Sequence, residues 1–186
     1  MTTTLASIQQ ACTAQCSVDS PLGPLLLART ARGLAGIWFD NQQHHPSAWH
    51  SPQQPSDDLL LRTRQQLARY FDGEAGAFDV PLDLHGTPFQ RSVWQALLRI
   101  GHGHTSSYGE IAAQVGTPNA SRAVGAAVGR NPVAIVVPCH RVLGAGGALT
   151  GYAGGLERKV ALLDLEYRSQ RLARPVLTVQ AREVFA

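Results

Sequence analysis

Apolar residues change their spacing along the chain, and each change predicts an element. Leu25 to Ala28 and Leu34 to Phe39 are short apolar runs. They are preceded by the turn sequence Ser20-Pro21-Leu22-Gly23-Pro24 and separated by Arg32-Gly33, which predicts a β-hairpin. From Asp57, a capping residue, Leu60, Leu61, Arg64, Leu67, Ala68 and Phe71 follow the 3.6-residue period of a helix that Gly73 ends. Phe78 to Leu84 reads as a further strand. Phe89 to Ile100 is an amphipathic helix with Phe89, Val93, Trp94, Leu97 and Leu98 on its apolar face. Ser107 caps a short helix holding Tyr108, Ile111, Ala112 and Val115; Gly116-Thr117-Pro118 breaks it, and Asn119 or Ser121 opens another helix that reaches about Arg130. Val133 to Val137 carries the signature of a buried strand stopped by Pro138, and Glu157 to Tyr167 forms a last helix. Residues 1–16 read as a loose polar arm, 40–56 as a loop, and the segment from Ser169 on as an extension over the surface.

These elements divide into an α/β unit over residues 1–84, a mainly α unit over 85–170 that begins near His85-Gly86-Thr87-Pro88, and a tail over 171–186. Two short helices around a glycine-containing turn have the form of a helix-turn-helix, and also that of ordinary helix packing. The chain's 186 residues suffice to bury a core without disulfides or metals. An odd number of cysteines (Cys12, Cys16 and Cys139) and the absence of a basic and apolar signal segment predict a cytoplasmic, reducing setting. No apolar run approaches the roughly 20 residues of a membrane span.

Net charge is only +3, but its distribution is uneven. Residues 1–84 hold five Arg against eight acids; residues 85–175 hold nine Arg and one Lys against four acids. A basic half attracts polyanions, although a solvated arginine-rich face has the same composition.

The chemistry concentrates in that basic half. Asn131-Pro132 leads through the apolar run to Pro138-Cys139-His140-Arg141-Val142, which delivers a thiol from an apolar element into a turn. Cysteine attacks as thiolate, and His140 and Arg141 offer two positive neighbours to lower its pKa. A buried structural cysteine is the alternative. The helix after Gly116 is nearly bare, with Ala120, Ala123, Gly125, Ala126, Ala127 and Gly129 around Arg122. Such a helix can approach a groove closely or pack tightly on its own core. The glycine-rich stretch from Gly144 to Gly155 lacks both the P-loop ending and the dinucleotide fingerprint, and reads as a tight loop against a flat ligand. Cys12 and Cys16 have three residues between them, but nothing in the sequence brings His44 and His45 to them, and no metal is expected.

Successive landmarks resemble one family. Gly86-Thr87-Pro88-Phe89-Gln90, Val93-Trp94, Tyr108-Gly109-Glu110-Ile111-Ala112, Arg122-Ala123-Val124-Gly125, Asn131-Pro132, Pro138 to Val142 and Gly151-Tyr152-Ala153-Gly154-Gly155 look, in order, like the O6-alkylguanine-DNA alkyltransferases. The resemblance runs from about Ser20 to Glu166. It implies an N-terminal α/β domain resembling ribonuclease H and a mainly α C-terminal helix-turn-helix domain, winged-helix-like, that binds double-stranded DNA through the minor groove. It also implies irreversible, stoichiometric transfer of the alkyl group from a flipped O6-alkylguanine, and from O4-alkylthymine, to Cys139, by a monomer without a cofactor. Cys139, His140, Glu166, Asn131 and Tyr108 would be catalytic: His140 the base through a water, Glu166 its orienter, Asn131 the holder of the turn, and Tyr108 the group that expels and protonates the base. Arg122 would take the base's place in the duplex, with Tyr108, Ala120 and Ser121 also at the DNA. The backbone of Cys139, Val142 and Ala153, with Tyr108, would bind the base. Two departures stand out: the Ile-Pro-x-Gly entry to the helix-turn-helix is Ile100-Gly101-His102-Gly103 here, and Ala153 replaces the Ser of some members.

Overall fold

A computed structural model describes residues 3–46 and 51–173. Three antiparallel strands, β1 (Cys12–Val18), β2 (Leu25–Thr30) and β3 (Leu34–Phe39), form a sheet in that order. The expected hairpin is β2–β3, with Leu25 opposite Phe39 and Leu27 opposite Ile37. The loose arm is corrected. Thr3–Ala11 is a helix, α1, and β1 pairs along β2 from Cys12 opposite Thr30 to Val18 opposite Leu25. Polar residues such as Gln15 and Ser17 hide β1 from a reading by composition, because pairing with β2 makes the strand and hydrophobicity does not.

The sheet is covered on both faces. Ile8 of α1 packs with Ala28, Ala35 and Trp38. On the other face α2 (Asp58–Phe71) buries Leu60, Thr63, Leu67 and Tyr70, a stripe at helical spacing, and Asp57 caps it by accepting from Leu59 N and Leu60 N at 3.1 Å. Gly36 is required beneath Trp38, because a Cβ there would lie 1.8 Å from the indole.

Two predicted strands are corrected. Phe78 to Leu84 bends at Val80 and makes a single bridge, Leu82 to Leu34, because Pro81 offers no N–H to a ladder. Val133 to Val137 is buried as expected but is a turn. Only Val133 bridges, to Ile37 of β3, through Ile37 N to Pro132 O at 2.9 Å and Ala134 N to Ile37 O at 3.0 Å. The chain then reverses through Ile135, whose φ of 70° is a strained conformation for a β-branched side chain.

The second half contains α3 (Pro88–Leu97), α4 (Tyr108–Gln114), α5 (Ser121–Gly129) and α6 (Leu156–Ala173). Thr87 with Gln90 and Ser107 with Glu110 form capping boxes at the starts of α3 and α4. α6 is longer than expected and takes in Ser169; the tail beyond Ala173, like residues 47–50 of the 40–56 loop, lies outside the described residues. A two-residue parallel pair, β4 (Ser106–Ser107) with β5 (Val142–Leu143), ties the start of α4 to the chain after Cys139. One buried apolar cluster runs through both halves, from Leu27 and Leu67 to Trp94, Val137 and Leu162. No helix among the described residues is long and apolar enough to cross a membrane.

Candidate active site

Asn131 builds the turn that carries Cys139. Its Oδ1 accepts from Val133 N at 3.0 Å, and its Nδ2 donates to Val133 O at 3.3 Å, Val137 O at 2.8 Å and Cys139 Sγ at 3.0 Å. A buried carboxamide thus stands in for the missing ladder, which is why five apolar residues fold as a turn. Cys139, His140 and Arg141 follow as one 3₁₀ turn, all buried.

Glu166 on α6, fully buried, gathers the neighbouring donors. Its Oε1 accepts from His140 Nε2 at 2.7 Å, Tyr70 OH at 2.8 Å and Arg141 Nη2 at 2.9 Å; its Oε2 accepts from Arg141 Nε and Gly103 N, each at 2.9 Å. Burial alone would raise the Glu166 carboxyl, but the hydrogen bonds from His140 and Arg141 and the Arg141 charge outweigh it and hold the group well below the usual range. Burial lowers the His140 pKa, and the Glu166 interactions only partly restore it, so the imidazole is neutral. With Nε2–H donated to the carboxylate, Nδ1 is the acceptor nitrogen, and it has no protein partner.

The expectation that His140 and Arg141 lower the Cys139 pKa as positive neighbours is corrected. His140 is uncharged, and the Arg141 guanidinium is spent on Glu166 and the Ile100 carbonyl. Burial raises the thiol's pKa; Asn131, nearby backbone donors and the charge of Lys159 oppose it. Nothing in the sequence sets Lys159 apart from the other residues of the last helix. It is fully buried and donates to Val142 O at 2.6 Å and Thr150 O at 2.8 Å. Tyr70 escaped too, because it belongs to the half that showed no chemistry. Only assembly brings its hydroxyl to Glu166.

The Gly101-His102-Gly103 entry is held without proline. Ser169 Oγ meets His102 Nε2 at 2.6 Å, Gln170 Nε2 donates to His102 O at 2.7 Å, and Gly103 has a φ of +68° that presents its amide to Glu166. A Cβ on Gly103 would lie 2.4 Å from Gln170.

Arg122 and Tyr108 stand on the open side. A cleft of about 480 Å3 is lined by Ser107, Tyr108, Gly109, Ser121, Arg122, Gly125 and Ala145. The Tyr108 hydroxyl donates to Gly151 O at 3.3 Å, and its pKa is raised, by burial first. Of the two residues expected to open α5, Ser121 is its first; Ala120 takes the cap position without a side-chain hydrogen bond. Packing explains Ala127, which is buried against α3, but not the other small residues of α5. Ala123 and Ala126 are exposed, a Cβ on Gly125 would make ordinary contact with Tyr108 at 3.7 Å, and one on Gly129 would meet nothing. Val142 pairs with Ser106, and the Ala153 carbonyl accepts from Gln43 N at 2.9 Å. Cys12 and Cys16 lie in β1, with pKa values raised mainly by burial. Among the described residues no three His, Cys, Asp or Glu side chains converge as metal ligands.

Known proteins share this arrangement of chain. Residues 16–84 match the model of the 6-O-methylguanine DNA methyltransferase ribonuclease-like domain, and residues 88–168 that of the same family's DNA binding domain. The methylated-DNA–protein-cysteine methyltransferase of Mycobacterium tuberculosis is 53% identical over 150 residues, 81% of this chain and 90% of the relative. That of Methanosarcina acetivorans is 49% identical over 151 residues, covering 80% and 94%. The crystal structure of Mycobacterium tuberculosis OGT in complex with DNA superimposes with a TM-score of 0.78 at 50% identity, covering 84% of this chain and 94% of that one. With family models matching both halves and relatives of this identity over most of its length, the chain belongs to the 6-O-methylguanine DNA methyltransferase family.

Proposed function

We propose that the chain repairs DNA by moving the alkyl group of O6-alkylguanine, and of O4-alkylthymine, irreversibly onto its own Cys139. The observation that carries this reading is the nucleophile's setting: Cys139 Sγ held by Asn131 at 3.0 Å, beside a His140 fixed by Glu166 at 2.7 Å. Because burial keeps Cys139 a thiol at rest, its proton must leave during the reaction. His140 Nδ1, with no protein partner, is the acceptor, reached through one water. The thiolate then attacks the alkyl carbon, a C–S bond forms, and the C–O6 bond breaks with its electron pair on the guanine. Tyr108, whose phenol stays protonated, gives its proton to the departing base. A thioether is not readily hydrolysed, so each molecule acts once.

The base enters flipped out of a duplex docked by its minor groove on α5. Arg122 fills the vacated position, and the short side chains of Ala120, Ser121, Ala123 and Ala126 allow the backbone to approach a groove only about 6 Å wide. The backbone of Cys139, Val142 and Ala153 reads the base, the Val142 carbonyl having one lone pair already engaged by Lys159. Residues 1–84 support this assembly, residues 85–170 bind and react, and the protein acts as a monomer in the cytoplasm.

The intact mass of the protein, before and after exposure to an oligonucleotide containing O6-methylguanine, tests the reading. One methyl adduct per molecule, mapped to Cys139 and absent from Cys139→Ser, is expected; repeated turnover, or an adduct elsewhere, would refute it.

A further inference from the structure

Tyr70 reaches Glu166 from the N-terminal half of the chain, and no step of the alkyl transfer uses it. Its position is well defined. It ends the buried stripe of α2, is 3% exposed, and its ring meets Phe71 edge-on at 5.5 Å and 76°, and His102 at 6.0 Å and 81°. A phenylalanine would fill the same volume. The hydroxyl is therefore the informative part, and it donates to Oε1, the oxygen that also accepts from His140 and Arg141. Donors that share one carboxylate oxygen divide its charge, so each weakens the hold of the others.

We propose that Tyr70 is a positioning residue: its hydroxyl fixes the Glu166 oxygen that faces His140 and, by competing for it, sets how strongly the carboxylate holds a proton on that imidazole. The inference rests on His140 being the base for Cys139. Tyr70 is a constant donor, since burial and then the Glu166 charge push its own pKa far up. The other groups around the pair are Arg141 and Cys139 from the 3₁₀ turn, His102 and the Gly103 amide from the loop before α4, the buried hydroxyl of Tyr152 from the loop before α6, and Lys159 from α6.

Removing the hydroxyl concentrates the charge of Oε1 on His140, which then keeps a second proton to higher pH. Transfer from free O6-benzylguanine to Cys139, followed by intact mass across a pH series, reads this as the acid limb of the rate. For Tyr70→Phe that limb is expected to move upward by about half a pH unit. 3-Fluorotyrosine placed at position 70, a more acidic donor of nearly the same shape, is expected to move it downward. Opposite shifts establish the role even if the Phe variant is poorly stable, since the fluorinated protein retains every contact. An unmoved limb in both proteins, with rates lowered evenly or unchanged, overturns the proposal while normal alkylation of the unaltered protein leaves the reaction standing. Failure of the unaltered protein to form any Cys139 adduct overturns both.

Discussion

His140 and Glu166 are buried ionisable residues whose pKa values both lie below their ordinary ones, and the sign of their effect on stability follows. The Glu166 carboxylate contributes stability above its ordinary value of 4.5, and that contribution is lost as pH falls below 4.5 toward the depressed folded value. His140 acts in the same direction at higher pH. Once the solution passes below 6.5 the unfolded chain binds a proton that the folded imidazole resists. The melting temperature is therefore expected to start falling below about pH 6.5 and to fall further below about pH 4.5. In Glu166→Gln the second fall should be reduced to what Asp83, also depressed by its hydrogen bonds, contributes, and the protein should be less stable at neutral pH by about 3 kcal/mol, because Arg141 and His140 lose a buried anionic partner. A Tm series over pH 3 to 8, compared with the same series for the variant, is the measurement. A variant whose acid dependence matched the unaltered protein would show that Glu166 is not the group responsible.

At the scale of elements, α5 separates a core face from an open one. Val124, Ala127 and Val128 are buried, and Trp94 Nε1 of α3 donates to Ala127 O at 2.9 Å. Ser121, Arg122, Ala123 and Ala126 are exposed. Substitution on the open face should leave folding nearly unchanged, within about 0.5 kcal/mol. Ala126→Leu is expected to reduce duplex binding by bulk, and Arg122→Ala to slow repair in duplex DNA while sparing transfer from free O6-benzylguanine. Parallel rate measurements on the two substrates check this; equal losses on both would remove α5 and Arg122 from the flipping step. Helices α2 to α6 were legible from their periods and flanking punctuation, as Asp57 and Gly73 show for α2, whereas α1 was read as a loose arm. Strands depended on their partners. β1 forms on β2 despite a polar sequence, whereas the apolar Val133 to Val137 run becomes a turn because Asn131 satisfies its backbone.

Across the whole molecule, charge and core are organised differently. The acidic first half and basic second half share one apolar cluster, so the halves differ at their surfaces and not in what holds them. A docking face supplied by the basic half releases counterions on binding DNA, and affinity should fall at least tenfold between about 50 and 200 mM salt. Fluorescence anisotropy on a short duplex measures it, and a flat dependence would exclude phosphate contacts as the source of affinity. By itself the sequence determined helices α2 to α6, the two-part plan and the family, and it marked Cys139 as the candidate nucleophile, because motif, period and capping are local properties of the chain. Tertiary structure alone decided which groups face Glu166. Tyr70, Gly103, Arg141 and His140 lie 96, 63, 25 and 26 residues from it, and Lys159 could be seen to be buried only once Val142 and Thr150 had closed around it. The reason is that charge sharing at a buried carboxylate depends on distance and desolvation, and neither is a property of chain order.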